Sequence, residues 1–168
     1  MKRKLLITLT AMLLGVIIIV AIYYESFERM LVLYKLSDYK ELLFETSTST
    51  KVVESLASGD MEIVSQKLDD FKVFFTEEGF MQFYSNRLIT LYSAFPSKHQ
   101  GQKLSISDIT VKSSTIDLEG HRCIIYYVVE FSADDVPFAL EDNQVVFVRD
   151  GDAGWRIQNE TLSLKETP

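Results

Sequence analysis

The sequence predicts an α+β protein: an N-terminal transmembrane helix, then helices packed on an antiparallel sheet. Three observations predict it. Residues 5–24 form an uninterrupted apolar run directly behind Met1-Lys2-Arg3-Lys4. Apolar residues then recur with helical spacing as far as Pro96, and from residue 103 onward they alternate with a period of two. Helices first and a meander afterwards is the order of a domain whose helices gather on one face of an antiparallel sheet.

The apolar run has the length of a membrane span. Its twenty residues, at a helical rise of about 1.5 Å each, reach roughly 30 Å, the thickness of a hydrocarbon core. A cleavable signal peptide has a shorter apolar stretch, about 7–15 residues, ending in a small-x-small site. Val20-Ala21-Ile22-Tyr23-Tyr24 offers no such pair, and no cysteine follows for lipoprotein processing. The run therefore reads as an uncleaved anchor. Lys2, Arg3 and Lys4 on one side, against Glu25, Glu28 and Arg29 on the other, put the N-terminus in the cytoplasm and the domain outside. Tyr23 and Tyr24 fall at the outer interface. Ala11 and Gly15 form a small-xxx-small pair of the kind that lets two helices approach, a weak pointer to a homo-oligomer against ordinary lipid-facing residues.

The expected organisation is a cytoplasmic tail (1–4), the span (5–24), a juxtamembrane helical segment (25–47) and one exported domain (48–168). Seventeen basic residues less the three ahead of the span leave fourteen against twenty-four acidic ones, so the exported part carries a net charge of −10. That surface repels phosphate backbones, which makes nucleic acid a poor partner. The single cysteine, Cys123, excludes an intramolecular disulfide and argues against a cysteine-based zinc site. It lies in Cys123-Ile124-Ile125-Tyr126-Tyr127-Val128-Val129 and reads as a small buried hydrophobe rather than an intermolecular crosslink.

In the juxtamembrane segment, Val32, Leu36, Tyr39 and Leu43 recur at four-three-four spacing as a short seam. Three roles fit it: a stalk, a dimer or partner seam, or the first helix docked on the domain. Asp38 and Glu41 have the spacing of a capping box that starts a fresh helix. A polar break, Glu45-Thr46-Ser47-Thr48-Ser49-Thr50, precedes a helix bearing Val52, Val53, Leu56 and Ala57, which stops at Ser58-Gly59. Asp60 caps the next helix, with Ile63, Val64 and Leu68, and Phe71, Phe74 and Phe75 follow. Thr76 with Glu77 and Glu78 makes a helix start, and Phe80, Tyr84, Leu88, Leu91 and Phe95 continue as one stripe to Pro96.

Leu104 and Ile106, then Ile109 and Val111, alternate with a slip between them, as a bulge produces. Ile116 and Leu118 lead to the turn signal Glu119-Gly120. Residues 122–131 are apolar on both faces, the mark of a central strand. Residues 145–149 and 155–164 flank Asp150-Gly151-Asp152-Ala153-Gly154, a hairpin.

Three stretches carry a resemblance. Val52-Val53-Glu54-Ser55-Leu56-Ala57-Ser58-Gly59-Asp60, Phe75-Thr76-Glu77-Glu78-Gly79-Phe80 and Asp152-Ala153-Gly154-Trp155-Arg156-Ile157 make the exported domain resemble the nuclear transport factor 2-like superfamily, also called SnoaL-like or cystatin-like. The resemblance implies a cone-shaped domain with helices on a curved antiparallel sheet. In enzymes of that superfamily a carboxylate or histidine works at the mouth of the cone, often beside a tyrosine. Tyr84, Arg87 and Tyr92 are the candidate pocket here, with Asp70 and Asp108 near in sequence but not at a spacing that joins them. Core packing of the stripe is the simpler role for its tyrosines.

Other motifs carry little chemistry. His99 and His121 sit in polar turns without a partner at a catalytic or metal spacing. The Asp150-Gly151-Asp152 segment lacks the later acceptors of a calcium loop, and Asn159-Glu160-Thr161 falls within a strand, where the glycosylation sequon reads as chance. No cofactor is expected. The function these features suggest is a non-catalytic, membrane-anchored interaction or assembly protein of the cell envelope. Its layout resembles bitopic assembly subunits of type IV secretion and conjugation channels, and the membrane-proximal spacer of some penicillin-binding proteins. The alternative is a small-molecule-binding or isomerase-like domain using the aromatic pocket.

Overall fold

The computed structural model describes residues 2–166, and the side chains of residues 12–165. One helix, α1 (Lys2–Thr48), is followed by α2 (Thr50–Ser58), α3 (Glu62–Leu68), α4 (Glu77–Ser85) and the single turn α5 (Phe95–Lys98). Strands β1 (Leu104–Asp117), β2 (Arg122–Ala133), β3 (Val136–Arg149) and β4 (Trp155–Glu166) form an antiparallel meander in the order β1-β2-β3-β4. The α+β class, with helices first, is thus observed.

The juxtamembrane segment is not a separate element. Residues 25–47 are the second half of α1, and one side of them, with Val32, Leu36, Tyr39, Leu43 and Phe44, belongs to the core of the domain. No fresh helix starts at Asp38, and Glu41 instead accepts from Ser37 Oγ one turn earlier, at 3.2 Å. The polar break narrows to one residue, Ser49, whose extended backbone and side-chain oxygen cap α2 at Val52 N–H. Its neighbours stay helical because their hydroxyls find partners there. Thr48 Oγ1 donates to Phe44 O at 2.8 Å and Ser47 Oγ to Ile89 O at 2.6 Å.

The short helices follow their caps. Gly59, at φ 76°, ends α2 in the left-handed conformation, and Asp60 Oδ1 takes the Glu62 N–H at the start of α3. Thr76 Oγ1 accepts from Gly79 N at 3.0 Å and opens α4. The stripe expected to run unbroken to Pro96 is interrupted. Arg87 takes a left-handed φ of 52°, a short 3-10 turn covers Leu88–Thr90, and Pro96 lies in the first turn of α5 instead of ending a helix. Proline suits that position because no N–H is needed there. Within α4, Phe83 faces the core and Tyr84 is exposed.

In the sheet, β1 carries the expected bulge between Ile106 and Asp108 and a second between Val111 and Ser113. Strand β3 starts nine residues earlier than residues 145–149 suggest, because Asp134 and Asp135 both take positive φ, 50° and 64°, and close a tight hairpin. Cys123, Ile125, Tyr127, Val129 and Phe131 of β2 face the core. The other face of β2 is less covered than its apolar sequence implies, and Tyr126 is 46 % exposed there. The segment before α4 adds to β4: Thr76 N–H donates to Ile157 O at 3.0 Å and Ile157 N–H to Phe74 O at 2.7 Å. Gly79 allows this approach, since a Cβ there would stand 2.3 Å from Ile157 O.

The core is aromatic in two groups. Tyr39 meets Phe71, Phe74, Phe75 and Phe83, while Phe131 meets Phe44, Tyr92, Phe95 and Phe138. Helix α1 contributes to both, through Tyr39 and Phe44.

Candidate functional site

Three features lie along α1: an unpacked apolar length, a junction with the sheet and a buried polar cluster. Met12, Leu13, Leu14, Val16–Val20 and Ile22 are all more than half exposed and point to every side of the helix. A helix apolar all round belongs inside protein or lipid. Among the described residues no helix is long and apolar enough to cross a membrane. The expected span begins earlier, at Leu5, and the side chains of residues 2–11, those of Lys2, Arg3, Lys4 and Ala11 among them, lie outside what is described, while Gly15 has open space where a Cβ would stand.

The junction fixes the helix to the sheet a single turn beyond Tyr24. Glu28 is almost fully buried and accepts from Trp155 Nε1 at 2.6 Å and Arg149 Nη1 at 3.0 Å. Arg149 also donates to Tyr24 Oη at 3.0 Å. Burial by itself raises the Glu28 pKa, but hydrogen bonds from Trp155 and Tyr24 and the Arg149 charge outweigh it and hold the carboxyl below its ordinary value. The next residue, Arg29, reaches Ser114 Oγ of β1 at 2.7 Å, and Lys35, two turns past Glu28 on the same side of the helix, donates from Nζ to Trp155 O at 2.6 Å. Contacts to β1, β3 and β4 make this a clamp and not a hinge.

Deeper in, Lys40 is fully buried between Glu141 of β3 and Glu160 of β4, with Nζ–Oε distances of 2.6 and 2.8 Å. Tyr39 and Tyr127 donate to Glu160 at 2.6 and 2.5 Å, and Tyr92 and Asn143 donate to Glu141. Burial draws the Lys40 pKa down, yet Glu160 and Glu141 more than reverse it, and the ammonium is held above its usual range. Burial first, and then the same carboxylates, push the Tyr39, Tyr92 and Tyr127 hydroxyls well above theirs. Asn143 Oδ1 is the buried oxygen left without a donor. The cluster ties α1 to the two strands farthest from β1, and its charges are stable only together.

Continuing the alternation of Val145 and Phe147 back along β3 puts Glu141 and Asn143 on the same inward face. Nothing in the sequence pairs them with Lys40.

Of the expected site residues, Val32, Leu36, Tyr39 and Leu43 are all at most 1 % exposed. The domain itself occupies the seam, so it offers no surface to another chain. Tyr84 and Arg87 do come together, lining a cleft of about 600 Å³ whose wall is Leu56, Val64, Leu68 and Phe83. Tyr92 does not join them; it is in the core, on Glu141. Asp70 pairs with Lys67 at 3.3 Å, and Asp108 lies on β1. Cys123 is buried, and burial raises its thiol pKa to about 11. Among the described residues no three His, Cys, Asp or Glu side chains are placed to hold a metal.

No protein-family profile matches the sequence, and no curated protein is similar to it. Among solved structures the chain is similar to the intermembrane space region of chloroplast protein ARC6, at 12 % identity and a TM-score of 0.43, over 79 % of this chain and 93 % of that one. At that distance the likeness carries no argument about function.

Proposed function

We propose that this chain is a non-catalytic, membrane-anchored interaction protein of a cell envelope. Residues 5–24 cross the bilayer once, with the N-terminus in the cytoplasm and the domain outside. The observation that carries this reading is α1 itself: apolar on every side over residues 12–23, unpacked there, and continuous into the domain core. The Lys2-Arg3-Lys4 bias supports the orientation. Envelope proteins, in a conjugation or secretion apparatus or another assembly, are the partners this placement favours, and self-association through the span is compatible with Gly15.

Two measurements test it. Extraction with carbonate should leave the full chain in the membrane pellet, and protease added outside permeabilised-wall cells should digest the domain. Replacement of residues 1–24 by a cleavable signal should abolish function at normal abundance. A released, folded domain that works as well as the anchored one would reject the tether.

A second reading has its own observation, the cleft with Tyr84 and Arg87 at its mouth and apolar side chains behind. A small ligand with an anionic end fits that arrangement. Native mass spectra with a bound ligand, lost in Arg87→Ala, would support it.

A further inference from the structure

Strand β1 ends the sheet, and among the described residues no strand pairs with its outer side. Along residues 104–109 this free edge faces the last turns of α1 across a groove of about 570 Å³. Phe44, Leu104 and Ile106 form its apolar part, and Glu41, Glu45 and Asp108 carry its charge. Among the described residues the Glu41 side chain accepts only from Ser37, the Asp108 side chain only from Thr110, and the Glu45 carboxylate has no hydrogen-bond partner; none of the three has an ion pair there. No lysine or arginine lines the groove. Asp142, by contrast, is paired by Lys112 and Lys165 at 2.5 and 3.1 Å.

We propose that this groove binds an extended basic peptide of a partner, which adds to the sheet as a strand beside β1. The inference rests on the interaction reading above and names the surface and partner chemistry. An edge strand presents unpaired N–H and C=O groups to such a segment, and main-chain pairing supplies affinity while alternate side chains supply choice. Six residues of β1 at about 3.3 Å each give a footprint of roughly 20 Å, so the segment is about six residues long. Its helix-facing positions are Lys or Arg. Their aliphatic stems lie on Phe44 and Ile106 while their charged heads reach Glu41 and Glu45. The bulge at Ser107 is pinned by Ser107 Oγ on Glu130, at 2.8 Å to Oε1, which limits pairing to the residues on either side of it.

The test uses the full chain in nonionic detergent and the capped hexapeptide acetyl-(Thr-Arg)3-amide, with (Thr-Glu)3 and an N-methylated (Thr-Arg)3 as controls. The arginine peptide should bind and slow amide exchange in residues 104–110. Glu41→Gln with Glu45→Gln should weaken it about tenfold, the scale of a charge-assisted contact. Glu77→Gln with Glu78→Gln on α4, equally exposed carboxylates, should leave it unchanged. Equal binding of the N-methylated peptide, or equal loss from the α4 variant, would reduce the effect to general attraction by an acidic surface and overturn the proposal. No binding by (Thr-Arg)3 would also overturn it. None of these results bears on whether the chain is anchored, which the carbonate and protease experiments decide separately.

Discussion

Trp155 Nε1 donates to Glu28 Oε2 at 2.6 Å, joining residues 127 positions apart in the chain. The bond couples the first residue of β4 to the turn of α1 that leaves the apolar run. Each partner is buried, so neither finds water if the other is removed.

Trp155→Ala should cost about 3–5 kcal/mol, from the lost ring and from a buried carboxylate deprived of a donor. Thermal melts of the full chain in detergent measure it. Trp155→Phe keeps the packing and isolates the hydrogen bond, and a melt indistinguishable from wild type would show that the bond contributes nothing.

The Glu28 carboxyl is held below its ordinary value of 4.5 in the folded protein. A depressed carboxyl contributes stability that is present above pH 4.5 and is lost as pH falls through the folded value. Glu28→Gln should therefore flatten the acid limb of the stability profile below pH 4.5, with little change in slope above pH 6. An unchanged acid limb would assign that dependence to other carboxylates.

Lys40→Met leaves Glu141 and Glu160 buried without their cation and should destabilise by about 3–5 kcal/mol. Adding Glu141→Gln and Glu160→Gln to that variant removes both uncompensated charges and should recover part of the loss. A triple variant less stable than Lys40→Met alone would mean that the tyrosine and asparagine bonds, and not the charge balance, hold the cluster.

Tyr39, Tyr92 and Tyr127 keep their protons in the fold at pH values where free tyrosines, at about 10, lose them. The unfolded chain then releases protons that the folded chain retains, so stability falls as pH rises past about 10. The raised Lys40 value acts in the same direction. Ultraviolet titration should show three of the eight tyrosines ionising only as the domain unfolds. Smooth titration of all eight in the folded state would contradict their burial.

A fragment from residue 48 lacks Val32, Leu36, Tyr39, Lys40 and Leu43 and should fail to fold, whereas one from residue 25 retains them. Amide dispersion in NMR spectra separates the two outcomes. A well-folded fragment from residue 48 would show that α1 is dispensable to the core.

The element order was readable because each signal there is local. Thr76 before two glutamates caps α4, Ser58-Gly59 stops α2, and Gly154-Trp155 opens β4, all within a few residues. What escaped depends on distance in sequence. The four-three-four seam states that one side of α1 is apolar, but what covers it lies far along the chain: Phe71, Phe75 and Phe83 against Tyr39, and the sheet from residue 104 onward. Arg87 breaks the aromatic helix without a glycine or proline to announce it, and that break separates Tyr84 from Tyr92. Lys40 sits next to Tyr39 within the seam, and nothing local marks it as buried, because Glu141 and Glu160 are over a hundred positions away.

The Glu28 clamp lies four residues after Tyr24, about 6 Å along the helix axis. With residues 5–24 in a bilayer, the sheet has no slack in which to rise or swing. The tilt of the anchor then sets the tilt of the sheet and of everything bound to it.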